Sequence, residues 1–310
     1  MNFIHYTHIP VLKTETIKYL NIKKGGIYID CTFGCGGHSK EILKKLDQKG
    51  KLYAIDKDPF SINIARTIQD RRMQVIPGNF SNVLKNFQKM SLKKKVDGIL
   101  LDLGVSSIQI KNSNRGFSFL LNGPLDMRMN PNEGITASEW LKKSNVKSIS
   151  KVLYEFGEER FAKKIAKSIV YQNKIKPITN TNELVNIIKH IVPKRNKNPA
   201  TKTFQAIRIH INEELIELKK ALKYALKILA PGGRLAIISF HSLEDRIVKN
   251  FLIKNSKYPF IPTGIAINEV QICNLKKISL KIINKIIPTE TEVKNNPKSR
   301  SAILRISEKR

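Results

Sequence analysis

Three carboxylates and one glycine cluster are the residues of this chain whose types and spacing can do chemistry. Asp30 closes the apolar run Ile27-Tyr28-Ile29, Asp56 closes Leu52-Tyr53-Ala54-Ile55, and Asp102 closes Val96 to Leu101. Between the first two acids lies Gly34-Cys35-Gly36-Gly37-His38-Ser39. A short strand that runs into glycines, and then into a helix from near Ser39, makes a turn whose backbone tolerates positive φ. It also lets a ligand approach where any Cβ would collide. Such turns also occur without a ligand. The added signal is Asp56, about twenty residues on, a strand-ending carboxylate able to accept both hydroxyls of a ribose.

A dinucleotide pocket uses the same strand, turn, helix and distant acid. Two details argue against one. The glycines read Gly34-x-Gly36-Gly37 rather than G-x-G-x-x-G, and Asp30 stands just before the turn, where a pyrophosphate would be repelled. S-adenosylmethionine carries an ammonium and a sulfonium and no phosphate, so acids beside its methionine end are favourable.

The elements that must position these residues alternate along the chain. Helices are expected near Thr14 to Leu20, from Ser39, and from Pro59 to about Ile68. Strands are expected at Ile27–Asp30, Leu52–Asp56, Met73–Ile76 and Val96–Leu101. That rhythm is an α/β fold with a mainly parallel, doubly wound sheet. After Asp102 about a hundred residues show mainly helical periodicity, including Glu158 to Tyr171, Asn182 to Ile191 and Thr203 onward. Strand rhythm then returns. Glu213 to Leu229 reads as a helix, Ala230-Pro231-Gly232-Gly233 as its stop and turn, and Arg234 to Phe240 as a strand. Leu243 to Phe251 is a further helix and Ser301 to Ile306 a late strand. The simplest division is residues 1–103 and 212–310 for the sheet, with a helical insert at 104–211. Ligands of open α/β sheets bind outside the carboxyl ends of the strands, where the insert leaves the sheet, so it is expected to lid the site. Phe80, after the third strand at the same edge, can lie against an adenine or simply join the core.

Composition bounds the partners. The chain has 310 residues, 41% of them hydrophobic, enough for one large core or two domains. It has no apolar stretch of the roughly 18 residues that span a bilayer and no secretory signal, so the cytoplasm is the expected location and a membrane is not an expected partner. Cys31, Cys35 and Cys273 cannot form a paired framework. Cys31-x-x-x-Cys35 lacks the third nearby thiolate of a cluster, so no metal is expected. Fifty-six Lys and Arg against twenty-five Asp and Glu give a net charge of +31, which attracts polyanions, nucleic acid above all. AT-biased coding, visible in the abundance of Lys, Ile and Asn, inflates basicity as well. The denser basic stretches are Lys93 to Lys95, Lys142 to Lys151, Lys163 to Lys176 and Lys194 to Lys202.

Longer blocks are more specific. Asp30 to Ser39, Val96 to Ser107, Arg115-Gly116-Phe117-Ser118-Phe119, Gly123-Pro124-Leu125-Asp126-Met127-Arg128-Met129, Gly157 to Ala162, Thr203 to Arg208 and Ser239-Phe240-His241-Ser242-Leu243-Glu244-Asp245-Arg246 together closely resemble one family. It is the bacterial small-subunit ribosomal RNA cytosine-N4 methyltransferase family, RsmH or MraW, and the resemblance runs from Thr7 to Arg305. It implies a class I methyltransferase fold and transfer of a methyl group from S-adenosyl-L-methionine to the exocyclic N4 of a cytidine in the decoding region of 16S rRNA. Carried over by motif position, the cofactor-binding residues are Gly36, Gly37 and His38 in the turn, Asp56 at the ribose, Phe80 at the adenine, Asp102 near the methionine end, and Gln109 beyond it. The insert becomes the substrate-recognition domain, and the partner the small ribosomal subunit; a homodimer is left open. The family usually has Gly at the place of Cys31, often a polar residue at Cys35, and His at the place of Asn198.

N4 chemistry needs no covalent intermediate, whereas attack on C5 would need a cysteine after the fourth strand, and Asp102 to Ser107 contains none. The amine must be held in line with the methyl, and an oxygen must accept a hydrogen bond from N4–H as charge develops. No D/N-P-P-Y/F loop is present, so that role falls to Asp102 or to carbonyls of Leu103 to Ser106; equally, Asp102 can do no more than orient the cofactor's amino group. The cytosine must be splayed into the pocket. Arg115, Phe117, Phe119, Arg128, Arg208 and the loop Asn296 to Arg300 are candidates to hold RNA, with burial in the insert's own core the competing account for the two phenylalanines. His241, before Ser242-x-x-Asp245, reads as a helix-start residue rather than a catalytic one.

Overall fold

The computed structural model describes residues 9–90, 95–193, 198–258 and 278–310. Thr7, Cys273, Lys93, Lys94, Lys194, Arg195 and Lys197 lie outside them. The described residues fall into two compact units, Met1–Gly104 with Leu215–Arg310, and Val105–Glu214.

In the first unit, β1 (Ile27–Asp30), β2 (Lys51–Asp56), β3 (Met73–Pro77) and β4 (Val96–Asp102) alternate with α1 (Lys13–Leu20), α2 (Gly37–Lys45), α3 (Pro59–Arg66) and α4 (Phe80–Met90). The apolar runs pair in parallel, β1 with both β2 and β4, and β2 with β3. Their side chains point alternately to two cores. Ile29, Ile99 and Leu101 enter one, and Tyr28 and Leu100 the other, which is why these strands are apolar on both faces.

The second unit is helical: α5 (Ser107–Lys111), α6 (Ala137–Lys143), α7 (Val146–Gly157), α8 (Ala162–Ile175), α9 (Thr181–Ile191) and α10 (Thr201–Ile211). Its core draws on its own residues, among them Leu125, Met127, Trp140, Leu153, Ile165, Leu184 and Ile207. Glu158, expected to open a helix, instead stands in the left-handed region at φ 49° as the C-cap of α7, and α8 begins only at Ala162. The acid pair Glu158-Glu159 resembles a first helical turn, but it follows Gly157, against which α10 packs too closely to admit a side chain. Asn198 at the usual histidine of its motif accepts from the Ala200 amide at 2.9 Å, a turn that leads into α10.

Back in the first unit come α11 (Glu214–Ile228), β5 (Leu229–Ser239), α12 (Ser242–Ser256), β6 (Leu280–Ile286), α13 (Glu290–Asn295) and β7 (Ile303–Lys309). The sheet order is β3-β2-β1-β4-β5-β7-β6, with β7 antiparallel between β5 and β6; this is the class I methyltransferase arrangement. The expected turn Ala230 to Gly233 lies inside β5. The ladder takes it up as a register shift: Leu229 pairs Val96 and Arg234 pairs Gly98, with Gly232 at φ 73°.

Candidate functional site

Parallel pairing brings the carboxyl ends of β1, β2 and β4 to one edge of the sheet, and with them Asp30, Asp56 and Asp102. The turn after β1 is stitched to both neighbours. Cys31 N–H donates to Leu100 O and Phe33 N–H to Ile55 O, each at 2.9 Å. Gly34 N–H donates to Asp56 Oδ2 at 2.8 Å, and the Asp102 amide donates to Thr32 Oγ1 at 2.7 Å. Glycine at 36 meets two demands at once: φ is 75°, and a Cβ would stand 2.6 Å from the Phe33 ring. Gly37 opens α2, where a Cβ would meet Pro10 at 2.3 Å. Close packing, within the turn at Gly36 and against Pro10 at Gly37, therefore accounts for both glycines before any ligand is considered.

Each acid has its own environment. Asp30 is buried; its Oδ2 accepts from Ser39 Oγ at 2.6 Å and its Oδ1 from Thr32 N–H at 3.1 Å. Burial lifts its pKa from 3.8 to about 6 in spite of those bonds. Asp56 accepts from the Gly34 and Asp58 amides, and burial raises it as well. Asp102 is pushed well above the usual carboxylate range by burial first, and then by Asp30 and Glu244. Its Oδ2 lies 3.6 Å from Nε2 of the buried His38 in the first turn of α2. Its Oδ1 is buried with no hydrogen-bond partner among the described residues. No Lys or Arg among the described residues pairs with any of the three acids. This edge is electrostatically incomplete, and a cation bearing N–H donors would complete it.

Phe80 opens α4, half-buried against the core of its unit. Gly36, Gly37, His38, Asp56, Phe80 and Asp102 thus belong to the sheet unit, whereas Gln109 belongs to the helical unit. There its Oε1 accepts from the Ser106 amide at 2.9 Å and closes a capping box on α5. His241 is itself the N-cap of α12, displacing the expected Ser242; its Nε2 stands 3.2 Å from Glu244 Oε1, and Glu244 Oε2 accepts from the Phe240 amide. Sequence reasoning does not single out Thr32, Ser39 or Glu244. All three lie inside the motif blocks, but only the fold turns them toward Asp30 and Asp102.

Three of the arginines expected to hold RNA, Arg115, Arg128 and Arg208, are committed within the helical unit, whereas Arg300 lies in the sheet unit on the short 3-10 helix Pro297–Ser301. Arg115 donates to the carbonyls of Arg128 and Met129, Arg128 grips Asp126 with two bonds of 2.7 and 2.8 Å, and Arg208 grips Glu214 with two of 2.9 Å. Phe117 is buried, and Phe119 meets Phe204 edge to face at 5.8 Å, so both belong to that unit's core. Burial raises the Cys31 thiol far above its ordinary pKa and raises Cys35 as well, which keeps both protonated and poor as ligands. Among the described residues no group of three or more His, Cys, Asp or Glu could hold a metal, and no helix is long and apolar enough to cross a membrane.

Known proteins resemble this chain over nearly its whole length. The model of the MraW methylase family matches residues 5–310. A protein named ribosomal RNA small subunit methyltransferase H from Buchnera aphidicola subsp. Acyrthosiphon pisum (strain APS) is 59% identical over 310 residues, covering 99% of each chain. One of the same name from Buchnera aphidicola subsp. Baizongia pistaciae is 56% identical over 308 residues, 98% of each. Another, from Hamiltonella defensa, is 49% identical over 304 residues, 97% of this chain and 98% of its own.

Proposed function

Because the chain belongs to the MraW methylase family, we propose that it transfers a methyl group from S-adenosylmethionine to the exocyclic N4 of a cytidine in the decoding region of 16S ribosomal RNA. The observation that carries the reading is the edge of three acids raised by burial, with no Lys or Arg among the described residues paired to them and with a bare buried oxygen on Asp102. Phosphate would be repelled there; a sulfonium with a neighbouring ammonium is attracted.

S-adenosylmethionine supplies an electrophilic methyl group on a cationic sulfur. Asp56, which already accepts from the Gly34 and Asp58 amides and bonds Ser61, would accept the ribose hydroxyls, and Phe80 would offer a ring face to the adenine. Gly36, Gly37 and His38 would line the methionine part. Asp102 accepts from N4–H as positive charge develops on the amine. A carboxylate whose affinity for protons has been raised by burial is a stronger acceptor than one in water. With the methyl donor bound, Asp102 would take up the proton that N4 gives up as the methyl replaces it, its Oδ1, unpartnered among the described residues, being the oxygen free to do so. Residues Val105–Glu214 meet the RNA, the small ribosomal subunit presents it, and the cytoplasm is where the two meet.

The test is transfer of labelled methyl from S-adenosylmethionine to small subunits from cells lacking this enzyme, followed by nucleoside analysis. Label in N4-methylated cytidine is expected; label confined to any other nucleoside refutes the assignment.

A further inference from the structure

The six most exposed residues of α8, which are Lys163, Lys164, Lys167, Tyr171, Lys174 and Ile175, fall within an arc of about 120° at 100° per residue. The opposite face, Ile165, Ala166 and Ile169, is buried in the core of the helical unit. Tyr171 is 68% exposed, so the fold does not need its ring. One turn to either side stand Lys167 and Lys174, and none of the four lysines of this face has an ion-pair partner among the described residues. Beside this face, α8 and α9 enclose a cavity lined by Tyr171, Gln172, Lys176, Asn186, Ile187 and His190. Its one acid, Glu183, is occupied: Oε2 accepts from the amides of Thr179 and Asn180, and Oε1 lies 3.5 Å from Lys176 Nζ. Residues 162–193 hold six lysines and, as their single acid, this compensated carboxylate.

We propose that the outer face of α8 and its groove with α9 form a docking site for single-stranded RNA. One base stacks on Tyr171, backbone phosphates lie on Lys167, Lys174 and Lys176, and Gln172 and Asn186 meet the base edge. Uncompensated positive charge suits a polyanion, and an exposed aromatic ring is a platform that serves any base. A membrane would want a broader apolar face than Ile175 and Ile187 supply. The inference rests on the RNA-methyltransferase reading above and adds a place where the RNA is gripped.

The experiment titrates the full chain with a short fluorescent single-stranded RNA at several salt concentrations. Tyr171→Ala should weaken binding about tenfold, and Tyr171→Phe should stay within about twofold of the parent. The double variant K167E/K174E should weaken binding and flatten the dependence of log affinity on log salt by about 0.7 for each phosphate no longer neutralised. All three should bind S-adenosylmethionine as the parent does. Unchanged RNA affinity and salt slope in Tyr171→Ala and K167E/K174E overturns the site, as does preference of the parent for phosphatidylserine vesicles or polyglutamate over RNA. A parent that grips RNA through this face yet methylates no ribosomal RNA refutes the enzymatic reading and leaves the docking site standing.

Discussion

Replacing Asp30 with Asn should stabilise the protein, and the gain should grow with pH. The folded-state pKa of Asp30 is about 6 against 3.8 for the free side chain, so the protonated form is the one the fold prefers. The stability carried by that proton is fully present below pH 3.8 and is lost as pH rises through 6. Two pH units at about 1.4 kcal/mol each make the ionised carboxylate cost about 3 kcal/mol at pH 8, and about 1.5 kcal/mol at pH 5. Asn is neutral throughout and keeps an acceptor for the Thr32 amide and a donor toward Ser39 Oγ, so Asp30→Asn should exceed the parent by those amounts. With a urea dependence of about 3 kcal/mol per molar, the midpoint difference should widen from about 0.5 M at pH 5 to about 1 M at pH 8. Saturating S-adenosylmethionine should narrow the gap at pH 8, because a cation at this edge relieves the parent's carboxylate. A midpoint difference that does not change with pH, or a variant weaker than the parent at pH 8, would refute the account of the edge as charge held against its preference.

Asp102→Asn should fold, hold its stability at pH 8, and lose methyl transfer by about 100-fold or more in a single-turnover assay; near-parental turnover would remove Asp102 from the reaction. Asp245→Ala should destabilise by about 2–4 kcal/mol in urea, because it leaves Arg305, now bound to both oxygens at 2.7 and 2.9 Å, without its partner between α12 and β7; a loss under about 0.5 kcal/mol would mean the pair is idle. Gly36→Ala should cost about 2–4 kcal/mol from its φ of 75° and the Phe33 ring, and the double variant with Phe33→Leu should recover part of that loss; no recovery would assign the whole cost to the backbone.

What is legible in the chain is whatever local periodicity decides. The parallel strands are buried on both faces, so Ile27–Asp30 and Val96–Leu101 announce themselves as apolar runs whatever their neighbours do. The edge strand β6 does not, because its sequence, Leu-Lys-Ile-Ile-Asn-Lys-Ile, mixes exposed lysines and an exposed Ile282 with half-buried Ile283 and Ile286, and has one neighbour to satisfy. β5 reads as starting only at Arg234 for a different reason: Pro231-Gly232-Gly233 is turn chemistry, and only pairing with β4 shows the ladder carrying on across it.

The site divides along the same line. Acids at strand ends are visible in one dimension, since each closes an apolar run, but what each carboxylate touches is a property of the sheet order. β1 sits between β2 and β4, so Asp30 has Asp56 on one side and Asp102 on the other, and that adjacency adds to the burial that raises their pKa values. Arginines mislead for the converse reason. Arg128 finds its carboxylate two residues upstream and Arg208 six downstream, so basic groups that look free for phosphate are already neutralised. The cations left available are those whose helix face carries no acid at three or four residues' distance, as on α8. In a chain of net charge +31 the informative lysines are therefore the ones with no neighbour to answer them, and the informative acids are the ones that all this positive charge leaves unpaired.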